Sequence, residues 1–235
     1  MNSVADVLSP RVIRELPGDE EVDLAIAWVA HELREPLVGL KAALETLGGS
    51  GSPQRDALLE RCRAEVERLA ILVNDTLRWG VAGESPRIGR CDLVQVVRES
   101  VEQLSLESGE DRVVVLAPER AYARADAVQL RSAIANLVRN ALVYSPPGSS
   151  VGVIVSADDD SAKVAVRNGG RSIPIEDRET IFLPYVRGAN AGERFGKGLG
   201  LYIARRIAEA NRGHLSVVSH DGTTEFRIEL PGGGS

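Results

Sequence analysis

The chain has 235 residues, 43% of them hydrophobic, which is room for one large or two ordinary domains with buried cores. A formal net charge of -6 argues against nucleic acid as the main partner, because neutralising phosphates calls for a basic stripe. No run approaches the roughly 20 apolar residues of a membrane span, so these residues are expected to be soluble and cytoplasmic, with any membrane contact made through an upstream region not present here.

Residues 1–20 carry little periodicity and read as the end of a signalling helix or as a disordered tail. Val22, Ile26, Val29, Leu33, Leu37, Leu40, Leu44 and Leu47 then step by four and three, a helical stripe near heptad spacing. After the break GGSGSP, from Gly48 to Pro53, a second stripe runs through Leu59, Cys62, Val66, Leu69, Val73 and Leu77. Two such helices form an antiparallel hairpin that leaves half of each stripe uncovered. Pairing two copies into a four-helix bundle covers it, so a homodimer is expected.

The string VAGESPRIGR, residues 81–90, reads as a linker. Beyond it, β-type runs appear at Val113 to Leu116, Ser150 to Ser156, Lys163 to Arg167, His214 to Val218 and Glu225 to Leu230. Helical patterns lie between them at Leu93 to Leu106, Ala127 to Val143 and Leu199 to Ala210. This mixed order predicts an α/β layered domain with helices on one face of a mixed sheet. Cys62 and Cys91 have neither disulfide-framework nor metal-ligand spacing and read as small core or surface residues in a reducing compartment.

Several motifs carry chemistry. In HELREPL, His31 to Leu37, the imidazole of His31 lies about 160–200° around the helix from Val29 and Leu33, away from the apolar stripe. An exposed imidazole can act as a nucleophile, and Glu32 beside it can orient the ring. Pro36 removes a helical hydrogen bond one turn later, a cost of about 3 kcal/mol. In LRSAIANLVRNALVYSP, Leu130 to Pro146, Asn136 and Asn140 share a helix face, and amide oxygens suit Mg²⁺ or its water shell. In VAVRNGGRSIPIEDRETIF, Val164 to Phe182, a strand ends in a turn at Asn168, Gly169 and Gly170, and Pro174 is expected to start a helix. A polar side chain followed by glycine at a strand end can hold a planar ligand against exposed backbone. Finally Gly196, Gly198 and Gly200 open the segment GKGLGLYIARRIAEANRGH, where backbone N–H groups and a helix N-terminus can approach an anion.

In this order the motifs resemble the core of a sensor histidine kinase. HELREPL looks like the phosphoacceptor box, the Asn136/Asn140 helix like the N box, and NGGRSIP like the first glycine box. IFLPYVRG, Ile181 to Gly188, is similar to the F box, and GKGLGL to the second glycine box. The resemblance spans roughly Val22 to Leu230. It implies an α+β chain of two domains: a dimerising helical hairpin for histidine phosphotransfer over 21–80, then a Bergerat-type (GHKL) ATP-binding α/β sandwich over 91–231. It further implies that His31 takes the γ-phosphoryl group of ATP and passes it to an aspartate of a response regulator receiver domain, with Glu32 holding the reactive tautomer. Asn140 would coordinate Mg²⁺, Asn136 would support it, and Tyr144 would lie near the nucleotide. Asn168 and Gly170 would read adenine, while Gly196, Gly198 and Gly200, with Lys197 between them, would wrap the phosphates.

Four positions depart from the family pattern. Asn168 stands where Asp is usual, a neutral acceptor that gives up about 1 kcal/mol of charge assistance. Val143 replaces a common Lys, with Lys197 and Arg139 as candidates to supply the missing phosphate contact. Ser172 replaces a glycine. Glu35 sits where relatives carry Thr or Asn to orient a water, so dephosphorylation of the regulator by that route is not expected. Asn168 and Val143 also motivate an alternative, a degenerate nucleotide-binding dimer acting as a non-catalytic scaffold or regulator.

Overall fold

The computed structural model describes residues 37–43, 57–60, 62, 63, 66, 85–109, 111–184, 186 and 198–234. The chain divides into two compact units, Met1–Leu77 and Arg78–Ser235. In the first, the described residues 37–43, 57–60, 62, 63 and 66 are helical, with Ala43 and Cys62 buried. Leu37, Leu59 and Val66, all on the predicted apolar stripes, are exposed to 51%, 42% and 52%.

The second unit runs β1 (Gly89–Asp92), α1 (Leu93–Ser108), β2 (Val113–Leu116), β3 (Tyr122–Ala125), α2 (Ala127–Tyr144), β4 (Val151–Ala157), β5 (Ser161–Gly169), α3 (Gly200–Ala210), β6 (His214–His220) and β7 (Thr223–Pro231). Five strands form a mixed sheet in the order β2-β4-β5-β7-β6, in which β2 and β4 are parallel and the other pairs antiparallel. On the helix-covered face Val151, Val153 and Val155 of β4, Ala162, Val164 and Val166 of β5, and Phe226, Ile228 and Leu230 of β7 are buried. They meet Leu130, Ile134, Leu137 and Ala141 of α2 and Ile203, Ala204 and Ile207 of α3, all buried. The opposite face is a charge ladder: Lys163 lies across from Glu229 and Arg167 across from Glu225. Burial raises the pKa of the Glu225 carboxyl, but hydrogen bonds from Arg167 and Arg227 outweigh this and hold it below the usual carboxylate range.

The five predicted strands and the three predicted helical patterns of this unit all occur, with ends shifted by no more than two residues, but two strands escape the sequence pattern. β1 and β3 pair with each other, Gly89 opposite Ala125 and Asp92 opposite Tyr122, so the expected linker 81–90 already enters a strand at Gly89. Four residues each, with only small Ala123 and Ala125 buried in β3, are too short to show a strand period; Arg90 stacks its guanidinium 3.8 Å from the Tyr122 ring centre. Both helices that follow these strands start on an Asp N-cap: Asp92 accepts from Val94 and Gln95, and Asp126 from Val128 and Gln129. A second correction concerns Pro174. It precedes only a single 3₁₀ turn, Ile175–Asp177, followed by another at Thr180–Phe182, rather than a helix. Only Ile181 and Phe182 bury apolar surface here, while Ile175 is exposed, so nothing holds a longer amphipathic helix against the core.

Asn211 ties the helices together. Its Nδ2 donates to Gln129 Oε1 and to Ile207 O, both at 2.9 Å, and its Oδ1 accepts from Asp126 N at 2.7 Å, so one fully buried amide ends α3 and fixes the start of α2. Burial pushes the Cys91 thiol up to about 11, which leaves it a protonated core residue.

Candidate nucleotide-binding site

Helix α2 carries three of the sequence-predicted residues on one side. Asn136 is buried, and Asn140 and Tyr144, one and two turns further on, are half-buried. The Asn136 Nδ2 is sealed from solvent and has no hydrogen-bond partner among the described residues. A buried amide donor left unpaired costs about 1–3 kcal/mol, so its retention points to a ligand that completes it.

Around α2 the structure gathers two clusters, separated along the helix by about 12 Å for the eight residues from Asn136 to Tyr144. At the C-terminal end, β5 delivers Asn168 and the turn beyond it. Gly170, at φ +142°, lies so close to α2 that a Cβ there would stand 2.7 Å from the Tyr144 carbonyl oxygen. At the other cluster, the start of α3 packs on Asn136: a Cβ on Gly200 would lie 3.8 Å from Asn136 Cβ and 3.9 Å from its Oδ1. α3 has no side-chain cap, since the N-cap residue is the apolar, buried Leu199, whose carbonyl accepts from Ile203 N at 2.9 Å. His31, Glu32, Gly196 and Lys197 lie outside the described residues.

The two described lid glycines differ in need. Gly198 has φ +76°, a left-handed conformation, whereas Gly200 is helical with only ordinary contacts around it. Gly200→Ala is expected to hold or raise the melting temperature, since Ala favours a helix by about 1 kcal/mol over Gly. Gly198→Ala is expected to lower it, by strain of about 1–2 kcal/mol. Thermal unfolding followed by circular dichroism checks both.

Residues the sequence motifs did not single out complete the floor of the site. Thr224 of β7 is the direct partner of Asn168 and is buried, with its hydroxyl 2.7 Å from Ser219 Oγ. Ser219 also accepts from Ile173 N at 2.9 Å, and the Arg178 guanidinium donates to the carbonyls of Ile173 and Ser219. The β6–β7 turn closes the clamp: Gly170 N donates to Gly222 O at 2.9 Å, and Gly222 N to Ser172 Oγ at 3.1 Å. The loop from Gly170 to Ile173 is thus fastened to β6 and to the turn that follows it. The sequence signal for Ser219 and Thr224 is polarity at core-facing strand positions, either side of an Asp221-Gly222 turn whose two residues both have positive φ.

Two family models match the chain. One, "His Kinase A (phospho-acceptor) domain", covers residues 22–80; the other, "Histidine kinase-, DNA gyrase B-, and HSP90-like ATPase", covers residues 125–233. The chain belongs to the sensor histidine kinase family. Its described architecture is the α+β arrangement of that family, a helical first unit and a GHKL-type sandwich. This kinase core is similar to the alginate biosynthesis sensor protein KinB of Pseudomonas aeruginosa, 30% identical over 98% of the chain and 40% of KinB. It is equally similar to the sensor-like histidine kinase SenX3 of Mycobacterium tuberculosis, 30% identical over 88% of the chain and 53% of SenX3. The chain therefore spans about half the length of the curated relatives it matches. Among solved structures, the mycobacterial sensor histidine kinase MprB is 27% identical with a TM-score of 0.56, over 63% of this chain and 99% of that one. Histidine kinase ThkA, solved in complex with response regulator protein TrrA, shares the fold at 20% identity and a TM-score of 0.69, over 97% of this chain and 65% of that one. Among the described residues of the kinase core, no helix is long and apolar enough to cross a membrane.

Proposed function

We propose that the chain is the catalytic core of an ATP-dependent protein histidine kinase that phosphorylates His31 and passes the phosphoryl group to an aspartate of a response regulator. The observation that carries this reading is the unpartnered, buried Nδ2 of Asn136, set on the same helix face as Asn140 and Tyr144 and covered by the glycine entry to α3. That donor suits a phosphate oxygen or a water bound to a metal ion. Among the described residues no group of three or more His, Cys, Asp and Glu is placed to hold a metal, so a divalent ion would take its ligands from phosphate oxygens, water and the side-chain oxygen of Asn140. Mg²⁺ bound there supplies neutralisation of the charge on the transferring phosphoryl group.

The chain's own residues do the rest. Asn168 and Gly170 seat the adenine beside Tyr144, and Gly196, Gly198, Gly200 and Lys197 close over the phosphates. Glu32 accepts from one ring nitrogen of His31 and leaves the other with its lone pair free. That nitrogen attacks the γ-phosphorus, the bond to the β-phosphate oxygen breaks, and ADP leaves. The hairpin over residues 21–80 serves as the dimerisation and phosphotransfer domain and residues 91–231 as the ATP-binding domain. The exposed Leu37, Leu59 and Val66 support pairing with a second copy, which takes such apolar surface from water. We place the core in the cytoplasm, where ATP is available and the free thiols of Cys62 and Cys91 stay reduced.

Incubation with γ-labelled ATP and Mg²⁺ is expected to give an acid-labile, base-stable label that is lost in His31→Ala. Measurable ATP binding without label would favour a nucleotide-binding scaffold, a reading to which Asn168 and Val143 lend some weight.

A further inference from the structure

α2 ends without the usual means of closing a helix. Its C-cap, Ser145, is extended at φ -76° and ψ 150°, where many helices turn through a left-handed glycine, and its last turn carries no basic residue. The last carbonyls still need donors, and Ser145 is buried, shut away from water.

The donors come from another element. Arg112, the residue before β2, sends its guanidinium into the loop from Ser145 to Ser149. Nη1 donates to Ser149 O at 2.9 Å, to Ser145 Oγ at 3.1 Å and to Pro146 O at 3.3 Å, and Nη2 stands 3.5 Å from Leu142 O. Ser145 Oγ in turn donates to Leu142 O at 3.1 Å, so the guanidinium reaches the last turn both directly and through this hydroxyl. The backbone of Arg112 is fixed as well: its carbonyl accepts from Val151 N at 2.8 Å, where the β2–β4 ladder begins. One residue thus joins the sheet to the helix end, and its positive charge meets the negative pole of the helix dipole.

The turn that it holds carries site residues. Asn140 and Tyr144 flank Leu142 by two residues on either side, and the Tyr144 carbonyl abuts Gly170, where a Cβ would stand 2.7 Å away. The last turn is therefore held between Arg112 and the loop beyond β5. We infer that Arg112 is a positioning residue for the nucleotide site: it sets the last turn of α2 so that Asn140 and Tyr144 stand ready for the ligand. This role rests on the nucleotide-binding reading given above. Placement contributes to affinity because a helix end left free to fray has to be ordered again at the moment of binding.

Isothermal titration of the whole chain with ATP and Mg²⁺ tests it, because the titration reports affinity and the number of sites separately. In Arg112→Met, which keeps most of the length and loses every donor, ATP is expected to bind about tenfold more weakly at an unchanged number of sites. Arg112→Lys keeps the charge without the planar fork and is expected to fall between the two, about threefold weaker. Arg131→Met is the comparison. It breaks an ion pair near the other end of α2, Arg131 Nη1 to Glu99 Oε2 at 2.9 Å, and is expected to leave the affinity within about twofold. Fewer sites at unchanged affinity in Arg112→Met would make Arg112 a residue of the fold alone, and overturns the inference. Unchanged affinity at the full number of sites overturns it too, as does an equal loss of affinity in Arg131→Met. If Arg112→Met does not fold, Arg112→Lys decides: an affinity equal to that of the unaltered chain overturns the inference, and a weaker one at the full number of sites upholds it. Absence of ATP binding by the unaltered chain brings down the nucleotide-binding reading itself, and the positioning role with it.

Discussion

Gly170→Ala is expected to reduce ATP affinity at least tenfold, by about 1.4 kcal/mol or more, and to leave a folded chain that melts several degrees lower. Two separate obstacles meet at this residue. Its φ of +142° lies where an L side chain is strained, at a cost of order 1–3 kcal/mol. The new methyl would also stand 2.7 Å from the Tyr144 carbonyl oxygen, inside contact distance. Neither neighbour yields easily. Tyr144 is the last residue of α2, and the end of that helix is gripped by Arg112, whose guanidinium donates to Ser145 Oγ at 3.1 Å, Ser149 O at 2.9 Å and Pro146 O at 3.3 Å. The loop must therefore give way, which breaks the bonds between Gly170 and Gly222 and between Gly222 and Ser172 and carries Asn168 out of register with Thr224. For a unit of this size each kcal/mol lost lowers the melting temperature by about 2–4 °C. Isothermal titration with ATP and Mg²⁺, beside a thermal melt without nucleotide, separates the two effects. Unchanged affinity in Gly170→Ala would remove the turn from the site.

How far the sequence discloses this fold depends on how its residues repeat. The core strands were legible because β7 alternates Phe, Ile and Leu with charged residues, and β4 and β5 are Val-rich runs, and the helices because Leu130, Ile134, Leu137 and Ala141 recur at helical spacing. β1 and β3 were not legible, because GRCD and YARA rest on their mutual pairing and on Arg90 over Tyr122, a long-range contact that leaves no local period. Pro174 misled for a related reason: a permissive helix start says nothing about whether an apolar face follows, and here only Ile181 and Phe182 bury theirs. The site divides in the same way. Asn136, Asn140, Tyr144, Asn168 and the glycines stand out by type and order along the chain. Ser219, Thr224 and Arg178 become visible only once β6 and β7 lie beside β5, because their hydrogen-bond partners are 5 to 46 positions away. Gly200 shows the converse. It matches the motif, yet the space around it in this structure would admit a methyl group.

Asn136→Leu is expected to move stability and nucleotide binding in opposite directions. Asn136 sits among Ala133, Leu137 and the start of α3, and its Nδ2 is buried without a partner. Leucine has nearly the same shape and asks for no hydrogen bond, so the substitution removes an unpaired polar group and adds apolar burial. The nucleotide-free chain should gain about 1 kcal/mol and melt higher by about 2–4 °C. The bound state loses the contact for which the donor is kept, and a hydrogen bond to a charged group is worth about 1.5–3 kcal/mol, a fall in affinity of roughly ten- to a hundredfold. Saturating ATP and Mg²⁺ should then raise the melting temperature of the variant far less than that of the unaltered chain. Asn136→Asp provides the opposite test, because it buries a charge with no cation among its described partners and sets it beside incoming phosphates. It should lower both stability and affinity. A leucine variant that is less stable without nucleotide would mean that Nδ2 has a partner in solution, and the unfilled donor would no longer mark the site. A variant that gains stability and keeps its affinity would leave Asn136 as a core residue and shift the phosphate contact to Asn140. Gain of stability with loss of binding is the trade expected of a polar group held for a ligand rather than for the fold.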